Sequence, residues 1–331
     1  MPRQIRINFQ GAVEIIAFHN PPANLISNVM LMELYDELRR VRDDEAVRVL
    51  VLTGALPDTF ILHYDVNELL EYAQTAAVRL TEAGYRRAAK APYWLSRTSD
   101  SVSLVDLDKI GRLMTSGSPA QQGVFHYGRC LHILDTFNKP VVAAINGACM
   151  GGGCELSLCC DIRLMAQSEY YRIGLPEVLV GIVPGGAGTT QRLPRIVGEG
   201  RALEMLMTGK GYTAEQAEQM GLVHRALKPD QLMPQAMELA ERLSRGAPLA
   251  LSAVRQAVRQ GSRLDYHEGR IEEIQATLAI MASDDARLGM KRYLEEVQNP
   301  ICKKGGTLDP ERYEEIFEVI RESKAVTYRG R

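Results

Sequence analysis

Two glutamates interrupt apolar sequence and could act together in proton transfer. Glu155 follows the glycine run Gly151–Gly153 and is the charged residue of a mostly apolar segment, and Glu177 lies 22 positions later in a loop-forming stretch. Burial raises the pKa of a carboxyl, so a buried pair could take and give protons near neutral pH. The ordinary alternatives are a helix-start carboxylate beside a tight turn and a solvated loop residue. Spacing alone leaves these alternatives open.

Three motifs, in order along the chain, resemble the signature of the crotonase (enoyl-CoA hydratase/isomerase) superfamily. They are NKPVVAAING at Asn138–Gly147, GGGCEL at Gly151–Leu156, and a third motif that begins with LPE at Leu175 and ends at Thr189. The resemblance extends back to Asn20 and forward to Leu294, so it covers most of the chain.

The resemblance implies an α/β fold, in which a crotonase-like spiral of ββα units is followed by a C-terminal helical trimerisation region. On this basis residues 1–225 form the spiral core, residues 226–298 the trimerisation region, and residues 299–331 a C-terminal extension. The core carries an insertion at about residues 72–123, which is longer than the usual family connection and is either a lid over the acyl pocket or a surface excursion. The extension either packs on a neighbouring subunit or is a mobile terminus.

The resemblance also implies the chemistry. Members of the superfamily stabilise a thioester enolate with two backbone N–H groups that form an oxyanion hole. Gly152 matches one donor, and its lack of a side chain lets the backbone approach a ligand. In hydratases of the superfamily the residue at Glu155 activates water and the residue at Glu177 delivers a proton to the α-carbon.

The second donor segment departs from the family pattern. The family has Phe-x-Ala-Gly-Ala-Asp where this chain has FILHYD at Phe60–Asp65, so Tyr64 would supply the N–H and three small residues are replaced by Leu62, His63 and Tyr64. Bulky side chains here should reshape the pocket, and lining it is a better interpretation of His63 and Tyr64 than a chemical role. The residues predicted to bind substrate are Leu62, His63, Asp65, Gly151, Pro176 and Gly185.

Several activities stay open at this point. Besides an enoyl-CoA hydratase-type lyase, the resemblance allows a double-bond isomerase, a thioester or C–C hydrolase, a decarboxylase, or a non-catalytic or RNA-binding relative. The first predicted helix mixes Glu33 and Glu37 with Arg39 and Arg40, which argues against RNA. We expect coenzyme A only as part of the substrate, no bound cofactor and no metal. The acyl group, the reaction direction and the carrier are open.

Composition is typical of a protein of an aqueous, cytoplasmic compartment. The chain has 331 residues, 46% of them hydrophobic, and a net charge of −2, which indicates neither a nucleic-acid nor a membrane partner. Residues 1–9 lack the apolar region of a signal peptide. Four of the six cysteines lie between Cys149 and Cys160 in apolar sequence, which predicts buried, reduced thiols. The helical region predicts self-association as a trimer or a dimer of trimers.

Hydrophobic periodicity predicts the elements that position these residues. Ile5–Phe9 and Val13–Phe18 predict a hairpin, Ser27 predicts a helix start, and Val47–Leu52 predicts a strand buried on both faces. The apolar runs Val141–Ile145 and Val178–Val183 predict buried strands or loops. After Pro184 the pattern is mostly helical, and a last amphipathic helix is predicted at Glu311–Ser323.

Overall fold

The computed structural model describes residues 2–75, 119–184 and 188–298, together with Tyr328 and Gly330. Within these ranges the strands form a six-stranded sheet in the order β1-β2-β3-β5-β7-β10 and a four-stranded sheet in the order β4-β6-β8-β9. The strands are β1 Ile5–Gln10, β2 Val13–Phe18, β3 Val49–Gly54, β4 Thr59–Ile61, β5 Val141–Ile145, β6 Ala148–Met150, β7 Ile162–Ala166, β8 Ile173–Gly174, β9 Gly211–Tyr212 and β10 Arg225–Leu227.

The larger sheet follows from the pattern of its strands. The predicted opening hairpin is confirmed, since β1 and β2 pair antiparallel and Gly11 takes a positive φ of 58° in the turn. From β2 onward each neighbouring pair is parallel. Parallel strands are covered on both faces, which suits the continuous apolar runs of β3 and β5. Both runs are buried, although β3 begins two residues later than predicted.

The helices alternate with the strands and then dominate the chain. They are α1 Asn28–Asp43, α2 Val66–Thr75, α3 Pro119–Asp135, α4 Gly152–Leu158, α5 Thr189–Val197, α6 Glu199–Thr208, α7 Ala214–Gln219, α8 Pro229–Ser244, α9 Pro248–Gly261, α10 Tyr266–Met281 and α11 Asp284–Tyr293, with a 3₁₀ helix at Glu177–Val180 and a π turn at Leu294–Gln298. The predicted start of α1 is confirmed, because Ser27 Oγ accepts a hydrogen bond from Met30 N at 3.2 Å.

Alternate residues of β3 enter two apolar cores. Leu50 and Leu52 lie in the larger core, and Val49 and Val51 pack with α8 on the opposite face of the sheet. Helix α8, which begins the predicted helical region at residues 226–298, packs on the six-stranded sheet.

Arginines of α9 attach the C-terminal helices to the core. Arg255 donates from Nε to both carboxylate oxygens of Asp161 at 2.9 Å, and Arg259 Nη1 donates to Asp135 Oδ1 at 3.0 Å. Beyond this contact the helices present apolar surface. No residue of α10 is buried, and Val258 and Leu278 are both exposed.

Two expectations about apolar segments have different outcomes. The clustered cysteines Cys149, Cys154, Cys159 and Cys160 are buried and free, as predicted. The prediction that Val178–Val183 is buried is wrong, since Leu179 is 70% and Val183 77% exposed. The chain there forms one 3₁₀ turn that ends at Gly181, and such a turn has no continuous face to pack inward.

The termini of the predicted insertion are helical, because its first residues belong to α2 and its last to α3. Residues 76–118, which include most of the insertion, and the predicted helix Glu311–Ser323 lie outside the described residues. Near the end of the chain, Tyr328 O accepts a hydrogen bond from Arg48 Nη2 at 2.6 Å, and Gly330 N donates to Asp285 Oδ2 at 2.8 Å. Within the described ranges, no helix is both long and apolar enough to cross a bilayer.

Candidate active site

The smaller sheet brings the predicted segments together. Strands β4, β6 and β8 are parallel neighbours, so their carboxyl ends lie side by side. The chain leaving β4 carries His63 and Tyr64, the chain leaving β6 carries Gly151 and Gly152, and the chain leaving β8 carries Glu177. Carboxyl ends of parallel strands are the usual edge for a binding site in α/β folds. We therefore take this edge as the candidate active site.

Gly151 joins the three segments. A Cβ at this position would lie 3.3 Å from Glu177 Oε1 and 3.4 Å from His63 Cβ, so residues of all three segments meet here. Its φ of 50° lies in the left-handed region, and its N–H donates to Gly174 O at 2.9 Å. Backbone conformation and close packing together therefore favour glycine.

Gly152 is the residue predicted to supply one backbone donor. It is the first residue of α4, where helix geometry gives its N–H no acceptor within the helix. A Cβ here would lie 2.9 Å from Ile26 Cδ1 and 3.2 Å from Tyr127 Oη. The close packing explains why this position has no side chain, and its role as an oxyanion donor stays a prediction.

Tyr64, the predicted second donor, is positioned by the hydrogen bonds of its neighbours. Ile26 N donates to His63 O at 2.9 Å, and Asp65 N donates to Ile26 O at 2.8 Å. In a parallel bridge of this kind the N–H of the central residue points away from the partner strand. Among the described residues, no acceptor takes a hydrogen bond from Tyr64 N. His63 Nδ1 lies 2.7 Å from Tyr64 O, so the ring reinforces the same segment.

The side chain of Tyr64 is turned into the protein. The residue is 7% exposed, and its ring meets the Tyr127 ring edge to face, with 5.8 Å between centroids. A Cβ on Gly123 would lie 2.5 Å from Tyr64 Oη, so the phenol occupies the space that a side chain on α3 would need. Burial, and then the charges of Glu68 and Asp65, raise the pKa of Tyr64.

Glu155 is buried and held by hydroxyl groups. It is 5% exposed, its Oε1 accepts a hydrogen bond from Thr189 Oγ1, and its Oε2 lies 2.9 Å from Tyr127 Oη. Burial, and then the charge of Glu155, raise the pKa of Tyr127 well above its ordinary value, so the phenol keeps its proton. Both carboxylate oxygens thus face hydroxyl donors, which stabilises a negative charge.

Glu177 has a different environment. It opens the 3₁₀ helix, and its buried Oε2 has no hydrogen-bond partner among the described residues. Burial, and then the nearby charge of Glu155, raise the pKa of Glu177 to about 7. A carboxyl that titrates near neutral pH is suited to give or take a proton during a reaction.

The remaining predicted residues have structural contacts at the same edge. Leu62 O accepts from Met150 N at 3.1 Å, which joins the two donor segments. Asp65 Oδ1 accepts from Asn67 N at 2.9 Å at the start of α2, and Pro176 O accepts from Leu179 N at 2.9 Å. Gly185 lies outside the described residues. Contact of these residues and of His63 with substrate stays a prediction.

Sequence reasoning missed Tyr127 entirely and gave Thr189 no role of its own. Tyr127 lies on the same face of α3 as Leu131 and Leu134, at spacings of four and seven residues. The available signal was a hydroxyl-bearing aromatic on an otherwise apolar helical face, because a buried tyrosine usually has a hydrogen-bond partner.

Comparison with known proteins finds a family model, similar chains and similar folds. The family model described as enoyl-CoA hydratase/isomerase matches residues 8–94 and 106–302. The 2,3-dehydroadipyl-CoA hydratase of Escherichia coli K12 is 32% identical over 294 residues, which are 88% of this chain and 96% of the relative. The crotonyl-CoA hydratase of Syntrophomonas wolfei is 30% identical over 85% of this chain and 91% of its own. The crystal structure of an enoyl-CoA hydratase from Bacillus anthracis superposes with a TM-score of 0.69 at 30% identity, covering 88% of this chain and 96% of that one.

Proposed function

Because the chain belongs to the enoyl-CoA hydratase/isomerase family, we propose that it adds water to, or removes it from, the double bond of a 2-enoyl thioester of coenzyme A. Relatives named as hydratases match it over most of their length. The observation that carries the proposal is the pair of carboxylates at one glycine turn. Glu155 is held by hydroxyl donors, and Glu177 lies against Gly151 with one oxygen unpartnered among the described residues.

In this proposal the thioester oxygen lies between the N–H groups of Tyr64 and Gly152. Both donors are fixed by their own segments before a ligand arrives, Tyr64 by the bridge to Ile26 and Gly152 by the start of α4. Negative charge builds up on the thioester oxygen as water attacks the β-carbon. Preorganised donors stabilise that charge more than they stabilise the neutral thioester, so they lower the barrier.

The two glutamates then balance the protons. Glu155, ionised, takes one proton from water as the water oxygen bonds to the β-carbon and the double bond shifts to give the enolate. Glu177, protonated, gives its proton to the α-carbon as the enolate returns to the thioester. The product has gained one water molecule, and the two carboxyls return to their starting protonation states by exchange with solvent. Dehydration runs through the same steps in reverse.

The experiment is an assay of purified protein with a series of 2-enoyl-CoA thioesters of different chain length, following the loss of enoyl-thioester absorbance. We expect turnover by the native chain and its loss in Glu155→Gln and in Glu177→Gln. Glu199→Gln, at an exposed position in α6, is the matched control and should keep full activity. Near-native turnover in either active-site variant would contradict the two-carboxylate mechanism.

Self-association as a trimer or a dimer of trimers is part of the same proposal. Its support is the apolar surface on α9 and α10, including Val254, Ile271 and Ile274, because contiguous exposed apolar patches mark interaction surfaces. Light scattering at micromolar concentration measures the assembly directly. A clean monomer would contradict the proposal.

A further inference from the structure

Tyr127 contacts Glu155 and both residues that are proposed to supply the oxyanion donors. Its hydroxyl oxygen lies 2.9 Å from Glu155 Oε2 and 2.8 Å from Gly152 O, and its ring packs against the ring of Tyr64. The residue itself lies on α3, which contributes no other group to the chemistry proposed above. A single side chain therefore links the predicted base to both residues that supply the oxyanion donors.

A hydroxyl group has one proton and can donate it to only one of these acceptors at a time. An ionised carboxylate accepts a stronger hydrogen bond than a peptide carbonyl. The Tyr127 proton therefore goes to Glu155 Oε2 while Glu155 is charged. Once Glu155 has taken a proton from water, that preference is lost, and rotation of the O–H bond alone can direct the proton to Gly152 O at 2.8 Å.

We propose that Tyr127 is a positioning residue, whose hydroxyl holds Glu155 ionised and oriented for attack and transfers its hydrogen bond to Gly152 O when Glu155 becomes protonated. This inference rests on the proposed hydratase function. Thr189 holds the other oxygen of Glu155, but it has no hydrogen bond to Gly152 in the structure, so the alternation belongs to Tyr127.

Other titratable and charged groups lie near Tyr127 and Glu155, and each has its own effect on a pH profile. They are Glu177, the thiols Cys154 and Cys159, and Arg192 of α5. Burial raises the pKa of both thiols, that of Cys159 to about 12, so they stay neutral, and Arg192 is bound to Asp135. Glu177, whose pKa burial raises to about 7, governs the alkaline side of a pH profile. The proposed mechanism needs Glu155 ionised for hydration, so a change at Glu155 should act on the acid limb of the hydration profile.

A simple packing role makes a different prediction. A tyrosine that only fills the core could lose its hydroxyl with some cost in stability and no change in the pH dependence of catalysis. Tyr127→Phe keeps the ring and removes the hydroxyl alone. Tyr35→Phe is the matched control, because Tyr35 is buried on α1 and its hydroxyl accepts a hydrogen bond from Arg129, outside the proposed site.

We expect Tyr127→Phe to lower kcat roughly 10- to 100-fold, the effect of losing one hydrogen bond to a charged group. KM should change little, since the hydroxyl does not contact substrate in this proposal. The acid limb of the kcat profile should move to higher pH, because the charged form of Glu155 has lost a donor. Tyr35→Phe should keep the native kcat and the native acid limb.

An unchanged acid limb and a native kcat in Tyr127→Phe would overturn the proposal, and so would equal losses in Tyr127→Phe and Tyr35→Phe. If Tyr127→Phe does not fold, 3-fluorotyrosine at position 127 keeps the ring and makes the hydroxyl a stronger donor. The acid limb should then move to lower pH, and an unmoved limb again overturns the proposal.

Failure of the proposed function is recognised separately, as absence of turnover by the native chain on every thioester. The positioning role is then tested by the crystal structure of Tyr127→Phe. We expect the Glu155 carboxylate to leave its native orientation, and an unmoved carboxylate overturns the inference.

Discussion

The segments that carry Glu155 and Glu177 differ in what surrounds each carboxylate. Every residue of α4, which carries Glu155, is buried, and hydroxyl groups from α3 and α5 reach both carboxylate oxygens. No residue of the 3₁₀ helix that carries Glu177 is buried, and the apolar side chains of Val178, Leu179 and Val180 are exposed beside it. The two carboxylates therefore lie at one turn, but Glu155 belongs to a buried helix and Glu177 to an exposed one.

The difference shows how one residue type can take two roles. Hydrogen-bond donors stabilise a carboxylate's charge, whereas burial without donors favours the protonated form. The hydroxyl groups around Glu155 suit a base that must begin ionised. The desolvated oxygen of Glu177 suits an acid that must begin protonated, and its pKa is raised to about 7 by burial and then by the charge of Glu155. Environments that differ in this way assign acid and base within a pair.

The largest effect is expected when both carboxylates are removed. Glu155→Gln and Glu177→Gln should each lower kcat by about 10²- to 10⁴-fold, the usual contribution of a general acid or base. Groups that act as a unit are not additive, so the double variant should be nearly as active as the worse single variant. Single-turnover kinetics over long times measures all three. A double variant whose loss equals the product of the single losses would mean that the two carboxylates act independently.

The second largest effect is expected in the pH dependence of kcat, which distinguishes the environment of Glu177 from that of Glu155. Glu177 must be protonated to give a proton to the α-carbon, and its pKa is raised to about 7. For hydration, kcat should therefore fall as pH rises through about 7, approaching a tenfold loss for each further pH unit. Dehydration starts with Glu155 protonated and Glu177 ionised, so the pair again holds one proton and the rate should fall on the same side of the profile. A hydration rate that does not fall above about pH 7 would contradict the assignment.

Removal of a single donor to Glu155 should have a smaller effect. Thr189→Val replaces the hydroxyl that donates to Glu155 Oε1 with a methyl group of similar size. We expect kcat to fall about tenfold, because one hydrogen bond to a charged group is lost. Thr189→Ser keeps the donor and should retain most of the activity. The alkaline limb, which belongs to Glu177, should stay in place in both variants, and a shift of that limb would show that the two environments are not separate.

The sequence predicts the residues that carry out the proposed chemistry better than it predicts the residues that position them. The glycine run before Glu155 and the LPE at Glu177 were recognisable because a turn and a carboxylate must occur in fixed order, and the structure joins both at Gly151. Tyr127 was missed, because its spacing is that of any core residue on an amphipathic helix. Its role depends on a contact with Glu155 across 28 positions of the chain, which local pattern does not contain.

The prediction that the apolar run after Glu177 is buried was wrong for a related reason. Hydrophobic composition predicts that Val178–Val183 avoids water, but it does not specify which surface covers the run. In the structure these side chains are exposed on the surface of the chain. The same limit applies to Tyr64, whose ring packs inward between Tyr127 and Gly123 of α3. Burial depends on partners that are distant in sequence or belong to another molecule.

The smallest expected effect tests whether the apolar surface around Glu177 controls its ionisation. Val178 follows Glu177 directly and is 40% exposed, and Val178→Thr replaces one methyl group with a hydroxyl of similar size. Desolvation is the largest cause of the raised pKa of Glu177, so a more polar neighbour should lower that pKa. The alkaline limb for hydration should then move to lower pH by about a few tenths of a unit, while the acid limb stays in place because Glu155 is enclosed by other elements. Val254→Thr on α9 is the control for adding a hydroxyl to exposed apolar surface, and it should move neither limb. If Val178→Thr moves the acid limb as well, the two carboxylates share one environment and the contrast between their segments does not explain their roles.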